Sequence, residues 1–502
     1  MKKVRILRRT AQILFLISGI SVSLNLLNSI SLARVFNHLH IVPSLSKMAD
    51  LNFSPYLLIF LGLILTTLLF GRLYCSFLCP VGFLQDIAVF LGRKLKIRPK
   101  PAPRLRYLRT FLLFLLFALI FLRLPLYLFA DHYTNMMSIF AHKVNPLLSG
   151  AMRPFSPGLY RAMGFYFPRI EFQIHGSLFY ALFFFLAVFI SSMFFPRIFC
   201  NTVCPSGLLF SFLSRHSLLK IGRRDSCRLC SKCDKSCPFM CMDNGTADKS
   251  QCIMCFECIG QCPFGSLSLH FGKDKKTPVK ADDPVNGKRQ FLKSAVYGTA
   301  GVFTGYALSK TVKTVDAENP DYIFPPGGDT YASFFSRCTS CGLCISSCPT
   351  KVLIPVRYQD SGIKRLLPAM DFNASYCSYD CNVCSGVCPM NALKYLDLEE
   401  KRITALGKAK IDADLCIPYR HNLDCGACAE HCPTIAIKMI NLGTVLAPVV
   451  DRKFCIGCGI CQYSCPLEGR KAINVEPLQN HERAYVRPRK GLESKELDDF
   501  PF

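Results

Sequence analysis

Apolar residues gather into four long runs before residue 200, separated by polar and basic loops. They cover about residues 11–35, 55–70, 107–130 and 176–195. A helix needs roughly 20 apolar residues to cross a hydrocarbon core, so the pattern predicts four transmembrane helices, the second being the shortest. A weaker apolar stretch over residues 291–309 predicts a fifth. Beyond it, a linker ends at Pro325-Pro326-Gly327-Gly328, and the rest of the chain has no such run.

Charge orients this picture. The 502 residues carry a formal net charge of +26. Of the 60 Lys and Arg and the 34 Asp and Glu, 22 of each lie beyond residue 310 and cancel, so the whole excess sits beside the apolar runs. Lys2, Lys3, Arg5, Arg8 and Arg9 precede the first run, and residues 92–109 form a strongly basic loop before the third. By the positive-inside rule both are expected to be cytoplasmic, with residues 36–54 and 131–175 external, in a bacterial inner membrane. No small-residue cleavage site follows the first run, so it reads as an uncleaved helix rather than a signal peptide. The bases flank apolar runs instead of lining one helix face, which argues against a nucleic-acid partner.

Cysteine changes the picture most. There are 29 Cys, and most fall in groups of four ending in Cys-Pro, unlike the varied spacings of a disulfide scaffold. Four groups have the C-x2-C-x2-C-x3-C-P spacing of bacterial ferredoxins: Cys227, Cys230, Cys233, Cys237; Cys252, Cys255, Cys258, Cys262; Cys338, Cys341, Cys344, Cys348; and Cys455, Cys458, Cys461, Cys465. Two more are variants. Cys377 is one residue further from Cys381, Cys384 and Cys388, and eight residues separate Cys416 from Cys425, Cys428 and Cys432. Three thiolates of a group reach one cubane, and the fourth reaches the neighbouring cluster. Zinc ribbons instead use two separated C-x2-C pairs. These 24 Cys are expected to ligate six [4Fe-4S] clusters. The first two groups should pair. Among the last four, nested pairing (third with sixth, fourth with fifth) is favoured because the irregular groups then face each other; sequential pairing is the alternative.

Of the other five Cys, four form a second motif. Tyr74-Cys75-Ser76-Phe77-Leu78-Cys79-Pro80 follows the second run, and Phe199-Cys200-Asn201-Thr202-Val203-Cys204-Pro205 follows the fourth. On a helix, the two thiols of each pair share a face. Cys75, Cys79, Cys200 and Cys204 are candidates for a redox dithiol site or for one more metal centre. Cys241 is left spare. His132 and His175, near the ends of the third and fourth runs with Asp131 and Tyr133 beside the first, are candidate proton acceptors of a quinol site. No C-x-x-C-H haem motif, P-loop or dinucleotide-binding Gly motif is present, and no terminal catalytic domain is evident.

The apolar runs, the two C-x3-C-P motifs and the two-cluster tail, over roughly residues 1–275, resemble NapH-type membrane ferredoxins. Residues 285–480, with two irregular motifs among four, resemble NapG/MauM-type periplasmic ferredoxins; Lys288-Arg289-Gln290-Phe291-Leu292-Lys293 is similar to a twin-arginine export motif. The resemblance implies a fusion of the two, acting as the electron-transfer part of a quinol dehydrogenase. Its partners would be the quinol pool of the membrane and a separate redox enzyme or cytochrome. An electron-donating maturation factor is the alternative. The expected fold is an α-helical membrane domain plus small α+β ferredoxin-like modules. The divisions are residues 1–219, 220–285 (two clusters, cytoplasmic), 286–310, 311–330, 331–480 (four clusters, outside the membrane) and 481–502.

Overall fold

A computed structural model describes residues 2–486 apart from 24–29, 50–55, 102–104, 125–126, 128–129, 145–146, 148–175, 273–283, 312–321, 361–362 and a few single positions. His175 lies outside the described residues.

The N-terminal part is helical. Its main helices are Lys2–Ser23, Tyr56–Phe70, Pro80–Lys94, Arg106–Phe121, Gly176–Phe194 and Pro205–Ser214. Pro80 and Pro205 each open a helix directly after the second Cys of a C-x3-C-P motif. That is the position where a missing N–H costs nothing. The core of this part gathers Leu113, Leu116, Phe184 and Val188 around all four C-x3-C-P cysteines. Outward faces keep large apolar side chains exposed, among them Leu58, Leu61, Leu65, Phe183 and Leu186.

The expected membrane domain does not hold. Among the described residues, no helix is long and apolar enough to cross a membrane. The second run forms a helix of 15 residues and the third one of 16. At 1.5 Å per residue these reach about 22–24 Å, short of a core about 30 Å thick. The first helix, Lys2–Ser23, includes Arg5, Arg8 and Arg9. The expected fifth span lies within the helix Pro284–Thr311, which packs its small residues on the Arg106–Phe121 helix: Gly298 faces Phe114, and a Cβ on Gly301 would meet the Phe111 carbonyl at 2.5 Å. The inner-membrane placement, the cytoplasmic N-terminus and the external four-cluster domain lose their basis with it.

The cysteine-rich parts are small antiparallel units. Strands Leu219–Arg223 and Leu267–Phe271 pair and bracket the first two motifs, with the short hairpin Met242–Asp243/Thr246–Ala247 between them. The plan recurs at the C-terminal end. Thr404–Ile411 pairs with Ile473–Arg483 around the last two motifs, and the hairpin Ile437–Asn441/Leu446–Val450 lies between them. The hairpin Leu353–Asp360/Ile363–Met370 separates the third and fourth motifs. This four-motif domain docks on the helical part. Arg34 Nε donates to the Gly386 carbonyl at 2.9 Å, Asn37 Nδ2 to Val387 at 3.1 Å and Ser46 Oγ to Met390 at 3.1 Å.

Candidate iron–sulfur sites

Each ferredoxin motif is a loop that turns into a short helix at its third Cys. In the four regular motifs the backbone turns left-handed at the residue before the second Cys (Leu229, Met254, Ser340, Gly457) and again at the residue before the helix (Ser231, Phe256, Gly342, Gly459). The irregular motifs lack both turns: neither Asp380 nor Asp424 is left-handed, and Asn382 and Gly426 have φ of −130° and −121°. Backbone N–H groups point at several sulfurs: Leu393 at Cys388, Ala436 at Cys432 and Ala409 at Cys455, at 3.2–3.4 Å. Such donors favour the thiolate that a cluster requires.

The fourth Cys of each motif crosses to a neighbour, as the spacing requires. Cys227, Cys230, Cys233 and Cys262 line one pocket. Cys237 lies with Cys252, Cys255 and Cys258. Cys241 is not remote from this chemistry: its sulfur is 3.5 Å from that of Cys237.

In the C-terminal domain the crossing is sequential, not nested. Cys388 joins Cys338, Cys341 and Cys344. Cys348 joins Cys377, Cys381 and Cys384. Cys465 lines a pocket with Cys416, Cys425 and Cys428, and Cys432 joins Cys455, Cys458 and Cys461. The nested expectation fails because each hairpin returns the chain at once, bringing consecutive motifs together. Burial pushes eight of these sixteen thiols up, Cys341, Cys428 and Cys458 among them to about 12. A bare thiolate is therefore unfavourable there, and a bound metal that takes the charge is what makes it stable.

The two C-x3-C-P motifs come together as one buried quartet. Cys75, Cys79, Cys200 and Cys204 are all 4% exposed or less. Burial is the largest influence on Cys75, Cys79 and Cys204 and raises all three, with repulsion from Cys200 adding to it. His132 sits between them, Nε2 at 3.8 Å from the Cys79 sulfur and Nδ1 at 3.6 Å from that of Cys204. Gln85 Nε2 reaches the Cys200 sulfur at 3.0 Å and the Gly207 N–H reaches that of Cys204 at 3.4 Å.

Two arginines lock the halves. Arg72 donates to Asn201 Oδ1 at 2.7 Å and to the Cys200 carbonyl at 3.2 Å. Arg197 donates to the Cys75 carbonyl at 2.8 Å and to Asp86 at 2.7 Å. Each half thus supplies the guanidinium for the other. Sequence reading missed them, although the signal was there: an Arg stands three residues before the first Cys, and a Gly two after each Cys-Pro, in both motifs.

Among the described residues, no three His, Cys, Asp or Glu side chains are grouped to hold a single metal ion. This holds for the ferredoxin motifs as for the quartet. One ion draws its sulfurs to about 2.3 Å, whereas a cubane shares four thiolates among four irons.

Comparison with known proteins agrees with this geometry. A 4Fe-4S binding domain matches residues 54–98 and again 177–224, one C-x3-C-P motif in each. A 4Fe-4S dicluster domain matches residues 376–436, and further 4Fe-4S binding domains match 446–467 and 334–354. The dicluster match spans the fourth and fifth motifs, but their thiols belong to different pairs; side-chain proximity decides this over sequence adjacency. The methylamine utilization ferredoxin-type protein MauM of Paracoccus denitrificans is 30% identical over 34% of this chain and 79% of its own length. The chain belongs to this ferredoxin-type 4Fe-4S family. MauN of the same organism is 30% identical over 34% of this chain and 48% of its own. An uncharacterized protein of Methanocaldococcus jannaschii is 28% identical over 35% of this chain. The chain covers 63% of that protein's length, under two thirds, and about half of MauN. No solved structure matches. The chain is thus a ferredoxin-type 4Fe-4S protein with several ferredoxin-like modules. A fusion of NapH and NapG types is not established by these matches.

Proposed function

We propose that the protein is a polyferredoxin whose 24 motif cysteines hold six [4Fe-4S] clusters and pass electrons from a quinol to a separate redox enzyme. A bound [4Fe-4S] cluster exchanges one electron at a time. The observation that carries the reading is the series in which the thiol sets adjoin. Cys344 of the first C-terminal set neighbours Cys384 of the second. The Cys377 N–H of the second donates to the Cys458 carbonyl of the third at 2.9 Å. Cys461 of the third lies beside Cys428 of the fourth. A catalytic metal site would hold one reacting centre in a substrate cleft; a row of ligand sets suits conduction.

The quinol donor rests on the resemblance to quinol-linked ferredoxins. His132, one of the two candidate acceptors, is 1% exposed and held against the quartet, so any proton it accepts comes through the protein interior. The test is anaerobic reduction of the reconstituted full chain by a soluble quinol analogue, followed in the visible iron–sulfur absorption. Bleaching is expected. Reduction by dithionite with none by the quinol would rule that donor out.

A further inference from the structure

We propose that Cys75, Cys79, Cys200 and Cys204 ligate a seventh [4Fe-4S] cluster, two thiolates from each half, which joins the two-cluster module to the four-cluster domain. The proposal rests on the polyferredoxin reading and extends it to a site outside the ferredoxin motifs.

The first observation is the form of the quartet. Four cysteines from two like segments lie together in the core, close enough to repel one another as thiolates, with Gln85 and the Gly207 N–H donating to sulfur. Those donors serve an acceptor sulfur, the state that a metal-bound thiolate maintains.

The second is charge. Arg72 is fully buried, its Nε has no hydrogen-bond partner, and among the described residues no carboxylate pairs with it; it donates to the Asn201 side-chain oxygen and to the Ser250 and Cys200 carbonyls, and its guanidinium also reaches the Cys75 sulfur. Arg197, 1% exposed, shares Asp86 with Arg8. A buried cation needs a compensating anion. Four protonated thiols, or two disulfides, supply none. A cubane with four thiolates carries net negative charge and would sit against both guanidiniums.

The third is position. On one side, Arg72 Nη1 donates to the Ser250 carbonyl at 3.0 Å, two residues before Cys252, and Arg93 reaches the Cys237 carbonyl at 3.5 Å. On the other side His132 adjoins Tyr133, which packs in one buried cluster with Leu343, Val387 and Cys341. The quartet thus lies between the Cys252 set and the Cys338 set. Without a redox centre there, the helical part separates the two cluster groups. With one, each transfer moves a single electron from one cluster to the next and makes or breaks no bond.

The test is native mass spectrometry of the anaerobically reconstituted full chain, with iron and sulfide analysis. Seven clusters, about 28 iron and 28 sulfide at four of each per cubane, are expected. Six clusters in the wild-type chain would overturn the proposal while leaving the polyferredoxin reading intact, as would a disulfide-linked peptide among the four cysteines in acid-quenched, alkylated protein. The double variant Cys75→Ser, Cys200→Ser should lose about four iron and keep the other six clusters; retention of seven would also overturn it. The wild-type count decides the matter even if the variant does not fold.

Discussion

Gly207 has no room for a methyl group, because a Cβ there would run into the Cys200 carbonyl, and a Cβ on its counterpart Gly82 would lie 2.6 Å from both the Cys75 carbonyl and Arg197 Nη1. In each half a helix after Cys-Pro presses onto the backbone of the first Cys. Gly62, in the Tyr56–Phe70 helix, has nothing within 4 Å. Alanine should therefore act in opposite directions. Gly207→Ala is expected to cost about 1–3 kcal/mol through overpacking, whereas Gly62→Ala should gain roughly 0.5–1 kcal/mol in helix propensity. Thermal unfolding midpoints of the two variants, with their iron content, would check this; equal shifts would mean that the close approach at Gly207 is not tight. At this scale the sequence was partly legible. The thiols stood out by spacing, but Arg72 and Arg197 did not, because a basic residue beside an apolar run reads as an interfacial charge until its burial is known.

The ferredoxin loops show how far local pattern determines an element. Cysteine spacing located all six motifs, and the regular ones share two left-handed positions that only the fold reveals. Which loops pair was not legible, since loop spacing leaves the partner of the fourth Cys open. The intervening hairpins decide it, and their strands carry weak signals, such as Pro355 opposite Pro368. Sequential pairing makes a specific prediction. Cys348→Ser should release the cluster held with Cys377, Cys381 and Cys384 and spare that of its own motif. Alkylation followed by peptide mass spectrometry should then label Cys377, Cys381 and Cys384 while Cys338, Cys341 and Cys344 stay protected. Labelling of Cys455, Cys458 and Cys461 instead would restore nested pairing. The apolar runs misled for a related reason: hydrophobic content marks burial of any kind, and here it serves a core around cysteines.

Across the whole molecule, the long C-terminal strand closes the four-cluster domain on itself. The His481 N–H donates to the Asp329 carbonyl at 2.7 Å, and its ring stacks on Phe324 with centroids 4.1 Å apart. Burial holds this imidazole down to about 4, from an ordinary value of 6.5. Its folded form binds a proton less readily than its unfolded form. It therefore leaves stability unaffected above about pH 6.5, lowers it progressively as pH falls, and stops doing so below about 4. The slope in that window is at most about 1.4 kcal/mol per pH unit. Urea midpoints of the full chain, compared between wild type and His481→Phe, should diverge in favour of the variant as pH drops from 7 to 5. A constant difference would remove His481 as the cause.

The crossed arginines also bear on how the protein is made. The Arg72–Asn201 and Arg197–Cys75 bonds join residues 129 and 122 positions apart. Neither half can satisfy its own Cys carbonyl, and neither can bury its guanidinium alone without leaving it unsatisfied. The first half must wait on the ribosome until the second has emerged. Contacts of such long range form late and slowly. The quartet is thus among the last parts of the helical core to close, and until then its four thiols stay open to reaction or ligation. The same linkage binds the repeats into one cooperative unit, so that a cut in the segment between them should leave the two pieces associated.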